Sequence, residues 1–333
     1  LIVDSSAVIG AGEVRSLVIL DTAGAEDINI TANDDAVPVD KKVNGSDTYV
    51  TAYIGETVTY TLSSKLPADL KEYKDYTFIF NDTMDDGLTF NAITSVKIGT
   101  ADVPAAAEGV AGYKLGGFFA EGAQTESGTG TIDFSDYVTA NLDTLGGKTV
   151  TVTYTATVNE NADVSGNPEN NAFNVTYTND YHTSQTGNTV IDDVDVYTYH
   201  INVIKWTDSN TQTPGYDAED LRLADAHFDL YKVVGETKYY AVATANGSVY
   251  TMTGWTTEQN NATDFVSDAN GDITINGLAA GNYYLIETDS PDGYNLLADP
   301  VSASITVTTS NNSPTLGSET VYVQNSTGTE LPS

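Results

Sequence analysis

Two sets of residues along the chain combine a lysine, an acid and an asparagine in the same order, and each residue is in phase with apolar neighbours. In INVIKWTD, for example, Lys205 shares its parity with Ile201 and Val203. Side chains two residues apart lie on one face of a β-strand, so this parity predicts a buried position. The two sets predicted to face the interior are Lys41, Asp82 and Asn171, and Lys205, Glu287 and Asn325.

These residue types can form an amide bond when they are held together away from water. Burial disfavours the charged form of an amine, lowers its pKa and leaves a nucleophile. Burial also raises the pKa of a carboxyl group, which can then polarise the asparagine carbonyl and shuttle protons. Attack of the amine releases ammonia, and fixed proximity supplies most of the rate, since effective molarities reach about 10⁵ M or more. The sequence predicts two internal isopeptide bonds: Lys41–Asn171 promoted by Asp82, and Lys205–Asn325 promoted by Glu287.

Neighbouring residues of the same types are rivals for the first set. Lys42 has polar or proline neighbours at its own parity, and Asn170 is out of phase with the apolar residues of its strand. Asp85 and Asp86 belong to a DDG sequence, which is typical of a turn. A single lysine among apolar neighbours is also compatible with a strand-edge residue whose ammonium group reaches solvent.

The elements that would position these residues are short β-strands. Alternating runs rich in Thr, Val and Tyr recur along the chain, separated by Gly, Asn and Asp turns. This pattern predicts an all-β chain of tandem immunoglobulin-like antiparallel β-sandwiches. Short helices are expected only in the connections PADLKEYKD and FSDYVTANLDTL. Domain boundaries are predicted near residue 36, in polar TANDDAVP, and near residue 198.

Composition limits the classes of partner. The 333 residues include 13 Lys and Arg against 47 Asp and Glu, which gives a formal net charge of -34. Such a surface repels phosphate backbones and anionic lipids, so neither nucleic acid nor a membrane surface is expected as a partner. The 21 tyrosines and 40% hydrophobic residues predict a folded chain. Cysteine is absent, so disulfides and thiolate chemistry do not enter.

Other chemistry finds little support in the residues. His182, His200 and His227 are scattered, which disfavours a zinc site, and no other metal site or cofactor is predicted. No Ser/His/Asp order, phosphate loop or nucleotide fingerprint stands out, and nothing selects a glycosidase pair among the acids. The chain is therefore not expected to be an enzyme, apart from single-turnover bond formation within each domain.

Several segments resemble domains of Gram-positive surface proteins. YYLIETDSPDGY is similar to the Y-x-L-x-E-T-x-x-P-x-G-Y box of collagen-adhesin B-type (CnaB) domains. Other parts of that domain resemble INVIKWTD, LADAHFDLYK and GDITINGLAAGNYYLIE. VPVDKKV, GETVTYTL, FNDTMDDGLTF and NAFNVTYTND resemble the fimbrial isopeptide-forming D2 domain of sortase-assembled pilins. ELPS, with Leu331 and Pro332, resembles the start of an LPxTG sorting signal truncated before its Thr.

The resemblance implies a domain order. Residues 36–197 would form the CnaA-like D2-type sandwich, and residues 198–328 the CnaB-type sandwich. Residues 329–333 would begin the sorting signal, and residues 1–35 would be the C-terminal remnant of a preceding N-terminal domain.

The resemblance also implies a function and a location. The chain would be a secreted shaft pilin, polymerised with other pilin subunits by sortase and anchored to the cell wall in an extracellular pilus. VILDTAGAEDINITAND lacks the acceptor lysine that shaft pilins usually carry in a motif resembling Y-P-K. The alternative is therefore a basal or accessory pilin, or a surface adhesin that binds host matrix or glycan.

Overall fold

The computed structural model describes residues 37–120, 128–180, 184–208, 221–310, 313–315 and 319–327. The chain forms two compact units. The first runs to Tyr49 and includes Val58–Ala156 and Asn170–Asp195. The second consists of Val50–Thr57, Thr157–Glu169 and the chain from Val196 onward. The boundary predicted near residue 36 lies outside the described residues.

The first twelve strands of the described residues form two sheets. In chain order they are β1 (Val39–Val43), β2 (Tyr49–Thr51), β3 (Thr57–Lys65), β4 (Phe78–Met84), β5 (Leu88–Ile98), β6 (Ala101–Asp102), β7 (Lys114–Gly117), β8 (Gly128–Asp133), β9 (Thr149–Val158), β10 (Glu169–Thr178), β11 (Thr186–Asn188) and β12 (Asp192–Tyr197). A five-stranded sheet has the order β1-β3-β9-β5-β6. A seven-stranded sheet has the order β2-β12-β10-β4-β8-β7, with β11 paired to β10.

The remaining strands belong mostly to one ten-stranded sheet. They are β13 (Tyr199–Thr207), β14 (Leu221–Arg222), β15 (His227–Val234), β16 (Thr237–Asn246), β17 (Val249–Thr256), β18 (Phe265–Val266), β19 (Asp272–Leu278), β20 (Tyr283–Asp289), β21 (Val301–Ser302), β22 (Thr308–Ser310), β23 (Ser313–Thr315) and β24 (Glu319–Gln324). The order is β14-β13-β19-β17-β16-β15-β20-β21, with β18 on β15 and β24 on β13. β22 and β23 form a separate pair. Most pairs are antiparallel, but β13–β24 and β17–β19 are parallel.

Helical structure in the described residues is limited to short connections. A 3-10 turn spans Leu70–Glu72, α1 spans Ser135–Thr139 and α2 spans Leu142–Leu145. These lie in the two connections for which helices were predicted. A further 3-10 turn at Gln259–Asn261 was not predicted.

Strand alternation explains the core. On β9, the Val, Tyr and Ala side chains of TVTVTYTATV are buried, while the intervening Thr side chains are half-buried or exposed. On β4, Phe78, Phe80 and Asp82 share the buried face. Phe80 packs against Phe173 of β10 with ring centroids 4.9 Å apart. The predicted all-β class is confirmed, and both lysines of interest lie on buried strand faces.

Candidate functional site

The first unit holds a buried cluster made of Lys41, Asp82 and Asn171, each with no exposed surface. Lys41 comes from β1 of the five-stranded sheet, while Asp82 and Asn171 come from the neighbouring strands β4 and β10 of the seven-stranded sheet. Lys41 Nζ donates to Asp82 Oδ2 at 2.5 Å and to Asn171 Oδ1 at 2.7 Å. The structure thus brings together three residues that the sequence placed on three separate strands.

A fourth residue of this cluster was not selected from the sequence. Tyr154 of β9 donates its hydroxyl proton to Asp82 Oδ1 at 3.0 Å. The same hydroxyl accepts from Asn171 Nδ2 at 2.6 Å. Parity in KTVTVTYTATV does predict that Tyr154 is buried. Nothing in the sequence distinguishes it from the other buried tyrosines, such as Tyr60 and Tyr76.

Burial sets the protonation of the first cluster. Desolvation lowers the pKa of Lys41, although Asp82 opposes that shift. Desolvation likewise raises the pKa of Asp82, against the opposing effect of Lys41. Both shifts favour a neutral amine beside a neutral carboxyl group, which is the state required for nucleophilic attack. Burial also raises the pKa of Tyr154 well above its usual value, so this side chain stays a phenol.

The backbone of Lys41 is fixed from both sides. β1 pairs antiparallel with β3, and Lys41 lies opposite Leu62. The Lys41 N–H donates to Asp192 Oδ2 at 2.7 Å, at the start of β12. The Tyr60 ring lies 5.3 Å from Lys41 Nζ and closes the amine off from one side. The ammonium or amine group is therefore held in one place before any bond forms.

The second unit holds a cluster of Lys205, Glu287 and Asn325. Lys205 lies on β13, Glu287 on β20 and Asn325 directly after β24. Lys205 Nζ lies 2.9 Å from Glu287 Oε1 and donates a short hydrogen bond to Asn325 Oδ1. Asn325 Nδ2 donates to both carboxylate oxygens of Glu287, at 3.1 and 3.3 Å. Here too the structure brings together three residues predicted from three different strands.

Local backbone contacts position the second lysine. β13 and β24 run parallel as neighbours, with Lys205 opposite Val323. The Lys205 N–H donates to Gly271 O at 2.7 Å. Gly271 has a φ of +73°, and a Cβ there would lie 2.4 Å from the Lys205 carbonyl oxygen, so this turn requires glycine. Lys205 Nζ also lies 5.3 Å from the Phe228 ring. Desolvation lowers the pKa of Lys205, with Glu287 opposing.

One family model and a number of solved structures are similar to this chain. A family model described as the SpaA prealbumin-like fold domain matches residues 209–319. The major pilin GBS80 of Streptococcus agalactiae, as a 35 kDa C-terminal fragment, matches with a TM-score of 0.63 and 20% identity over 88% of this chain and 100% of that one. The group B streptococcus pilus 2b backbone protein matches with a TM-score of 0.60 and 27% identity over 88% and 99%. The full-length major pilin RrgB from Streptococcus pneumoniae matches with a TM-score of 0.61 and 17% identity over 94% and 78%.

The chain has the fold of Gram-positive major pilins. No match was found among curated proteins. The predicted resemblance to Gram-positive pilins is confirmed at the level of the fold, and the three solved relatives are named as pilus subunits rather than as enzymes. These matches support a pilus subunit.

Within this pilin fold, the rival residues point away from the first cluster. Lys42 pairs at the surface with Asp47. The Asn170 side chain donates to Asp193 at 2.8 Å and to Asp195 at 2.9 Å. Asp85 is exposed and accepts from the Asn170 N–H at 2.9 Å. Local parity therefore selected the members of the cluster that the structure brings together.

Some of the other predicted features lie outside the described residues. These features are Leu331 and Pro332 of the sorting signal, His182, and the remnant at 1–35. In the part of the chain that the structure describes, no group of His, Cys, Asp or Glu is arranged to hold a metal ion. None of the helices found there has the length and hydrophobicity of a membrane span.

Proposed function

We propose that the chain is a shaft subunit of a pilus that sortase polymerises and attaches to the Gram-positive cell wall. Each of the two predicted sandwiches would be locked by one internal bond, Lys41–Asn171 and Lys205–Asn325. One observation carries this proposal. In a chain with a pilin fold, Nζ of each of the two buried lysines donates a hydrogen bond to an asparagine side-chain carbonyl oxygen and also contacts a carboxylate.

The chemistry balances without a cofactor. One proton moves from Nζ to the carboxylate, and the neutral amine attacks the side-chain carbonyl carbon of asparagine. A new C–N bond forms, a proton reaches the asparagine nitrogen, and the old C–N bond breaks. Of the three lysine protons, one stays on the new amide and two leave with the nitrogen as ammonium. The carboxylate is regenerated, and the contacts already in place supply the proximity that the step needs.

The two bonds would brace the units differently. Lys41 and Asn171 belong to different sheets, so their bond would tie one sheet to the other. Lys205 lies on β13 and Asn325 follows β24, the parallel neighbour of β13. That bond would join the first and last strands, in chain order, of the ten-stranded sheet and carry tension past the strands between them. Both effects suit a subunit that transmits force along a fibre.

Mass spectrometry tests the bonds directly. The intact full chain is expected to weigh two ammonia molecules less than its sequence, with both lysine–asparagine pairs recovered as cross-linked tryptic peptides. Asp82→Ala should abolish only the first cross-link and Glu287→Ala only the second. Asp85→Ala, which alters an exposed acid outside the cluster, should retain both. An unmodified mass from folded parent protein would refute the bonds.

The shaft role has its own test. Incubation of the complete precursor with its cognate sortase should produce a ladder of homopolymers. The fold shared with major pilins and a backbone protein supports this expectation. A product limited to single subunits, with the internal bonds present, would favour the basal or accessory role instead.

A further inference from the structure

The two clusters differ at the nitrogen that must leave. In the second cluster, the carboxylate itself contacts that nitrogen, because Asn325 Nδ2 donates to both oxygens of Glu287. In the first cluster, the acid is an aspartate, one methylene shorter, and Asn171 Nδ2 donates to Tyr154 Oη at 2.6 Å. A phenol hydroxyl thus occupies the place that a carboxylate oxygen takes in the other cluster.

Tyr154 completes a continuous path for protons. Lys41 Nζ lies 2.5 Å from Asp82 Oδ2, and the other oxygen of that carboxyl group lies 3.0 Å from Tyr154 Oη. Oη in turn lies 2.6 Å from Asn171 Nδ2. Every distance falls within hydrogen-bonding range, so the nucleophile and the leaving nitrogen are joined through one carboxyl group and one hydroxyl group.

The ring that carries this hydroxyl is held on two sides. Tyr154 is fully buried and stacks on Tyr60, with ring centroids 5.1 Å apart and an interplanar angle of 23°. Phe119 meets it edge-on at 5.2 Å and 83°. A ring packed in this way keeps its hydroxyl between Asp82 and Asn171 instead of turning toward solvent.

We propose that Tyr154 is a catalytic proton relay for the Lys41–Asn171 bond, an inference that rests on the proposed isopeptide function. Asp82 takes a proton from Nζ, and the amine adds to the carbonyl carbon of Asn171. For the transfer, both hydrogen bonds of the resting hydroxyl group reverse: the protonated Asp82 donates to Oη, and Oη donates to Nδ2. Oη then gives its own proton to Nδ2 and takes the carboxyl proton in exchange, which returns Asp82 to a carboxylate. As the old C–N bond breaks, Asp82 takes the surplus proton from the new amide nitrogen and passes it along the same path to the departing ammonia. Ammonium leaves, and Tyr154 ends as the phenol it was.

The comparison with Glu287 explains why only the first cluster needs a relay. A glutamate can accept from Nζ and return a proton to the leaving nitrogen with the same carboxyl group, as the contacts of Glu287 show. In Asp82, one carboxyl oxygen contacts Lys41 Nζ and the other contacts Tyr154 Oη, so neither contacts Asn171 Nδ2. The hydroxyl of Tyr154 therefore spans the gap left by the shorter acid.

The test follows the two bonds in the same molecules. The full chain is made by cell-free synthesis, quenched at intervals and digested, and the linked fraction of each pair is measured by mass spectrometry. In Tyr154→Phe, the Lys41–Asn171 bond should form at least about 10²-fold more slowly, the range expected for loss of a general acid–base group. The Lys205–Asn325 bond should form at its parental rate and serves as the internal control for the rate measurement.

Two further variants separate a relay from a packing role. Tyr60→Phe removes the hydroxyl of the stacked neighbour and should change the Lys41–Asn171 rate by no more than a few-fold. Adding Asp82→Glu to Tyr154→Phe should restore much of the rate, because the longer acid can reach Nδ2 as Glu287 does. A double variant as slow as Tyr154→Phe alone would overturn the relay and leave Tyr154 as a packing residue.

The remaining outcomes are distinguishable. A parent chain that forms both bonds, together with a Tyr154→Phe variant that forms them at parental rates, would refute the relay and leave the proposed function intact. A folded parent that forms no Lys41–Asn171 bond would refute the function itself. If Tyr154→Phe does not fold, the parent decides: a larger solvent deuterium effect on the Lys41–Asn171 bond supports the relay, and equal effects on both bonds refute it.

Discussion

Replacing Asn325 with alanine should remove the second cross-link with little other damage. The variant lacks the electrophile. Lys205 still has Glu287 as its partner at 2.9 Å, and Glu287 still accepts a hydrogen bond from the Leu297 N–H at 2.9 Å. Lys205→Ala would instead leave a cavity and a buried carboxylate without its cation, which adds a penalty unrelated to the bond. Asn325→Ala is therefore the substitution that isolates the cross-link.

The size of the effect follows from the loop that the bond closes. Lys205 and Asn325 are 120 residues apart. On the loop-closure treatment used for disulfides, a loop of that length stabilises the folded state by about 5 kcal/mol through the unfolded chain. For a domain of this size, the free energy of unfolding should fall enough to lower Tm by roughly 15–25 °C.

Scanning calorimetry of the full chain measures this shift, with intact mass recorded on the same samples. Gln324→Ala is the matched control, because its side chain is exposed on β24 directly beside Asn325. Its stability should change by no more than about 0.5 kcal/mol. If the parent has lost both ammonia molecules and Asn325→Ala still melts within about 3 °C of it, the loop-closure reasoning is wrong.

Two further predictions concern force and pH. In single-molecule pulling from points outside Lys205 and Asn325, the parent should show no unfolding extension of the segment between these residues. Asn325→Ala should extend, because its strands then rely on hydrogen bonds worth about 1 kcal/mol each. Equal extension in parent and variant would contradict the proposed load path. In Asn171→Ala, Lys41 stays a titratable amine facing Asp82 and Asp192, with a pKa that burial holds below 10.5. The contribution of Lys41 to stability is complete above pH 10.5 and is lost as pH falls through its folded pKa. Denaturant titrations should therefore find that the difference in free energy of unfolding between parent and variant widens from pH 10.5 downward. A difference that stays constant with pH would argue against a buried amine.

The alternation of residues along each strand determined which side chains face the interior. Successive side chains of a strand point to opposite sides whatever the fold, so Lys41 and Lys205 could be placed among apolar neighbours from the sequence alone. The same local rule separated Lys41 from Lys42, which pairs with Asp47 at the surface. Composition likewise argued for a folded all-β chain without disulfides, since Thr, Val and Tyr dominate the alternating runs and cysteine is absent.

Partnership between buried residues was decided only by the tertiary structure. Tyr60, Tyr76 and Tyr154 are all buried, yet only Tyr154 has its hydroxyl between Asp82 and Asn171. Which sheet a strand joins depends on pairings between segments far apart in the chain, such as β4 with β10 and β13 with β24, and local alternation carries no record of them. The same long-range topology makes one proposed bond span two sheets and the other join parallel neighbours within a single sheet.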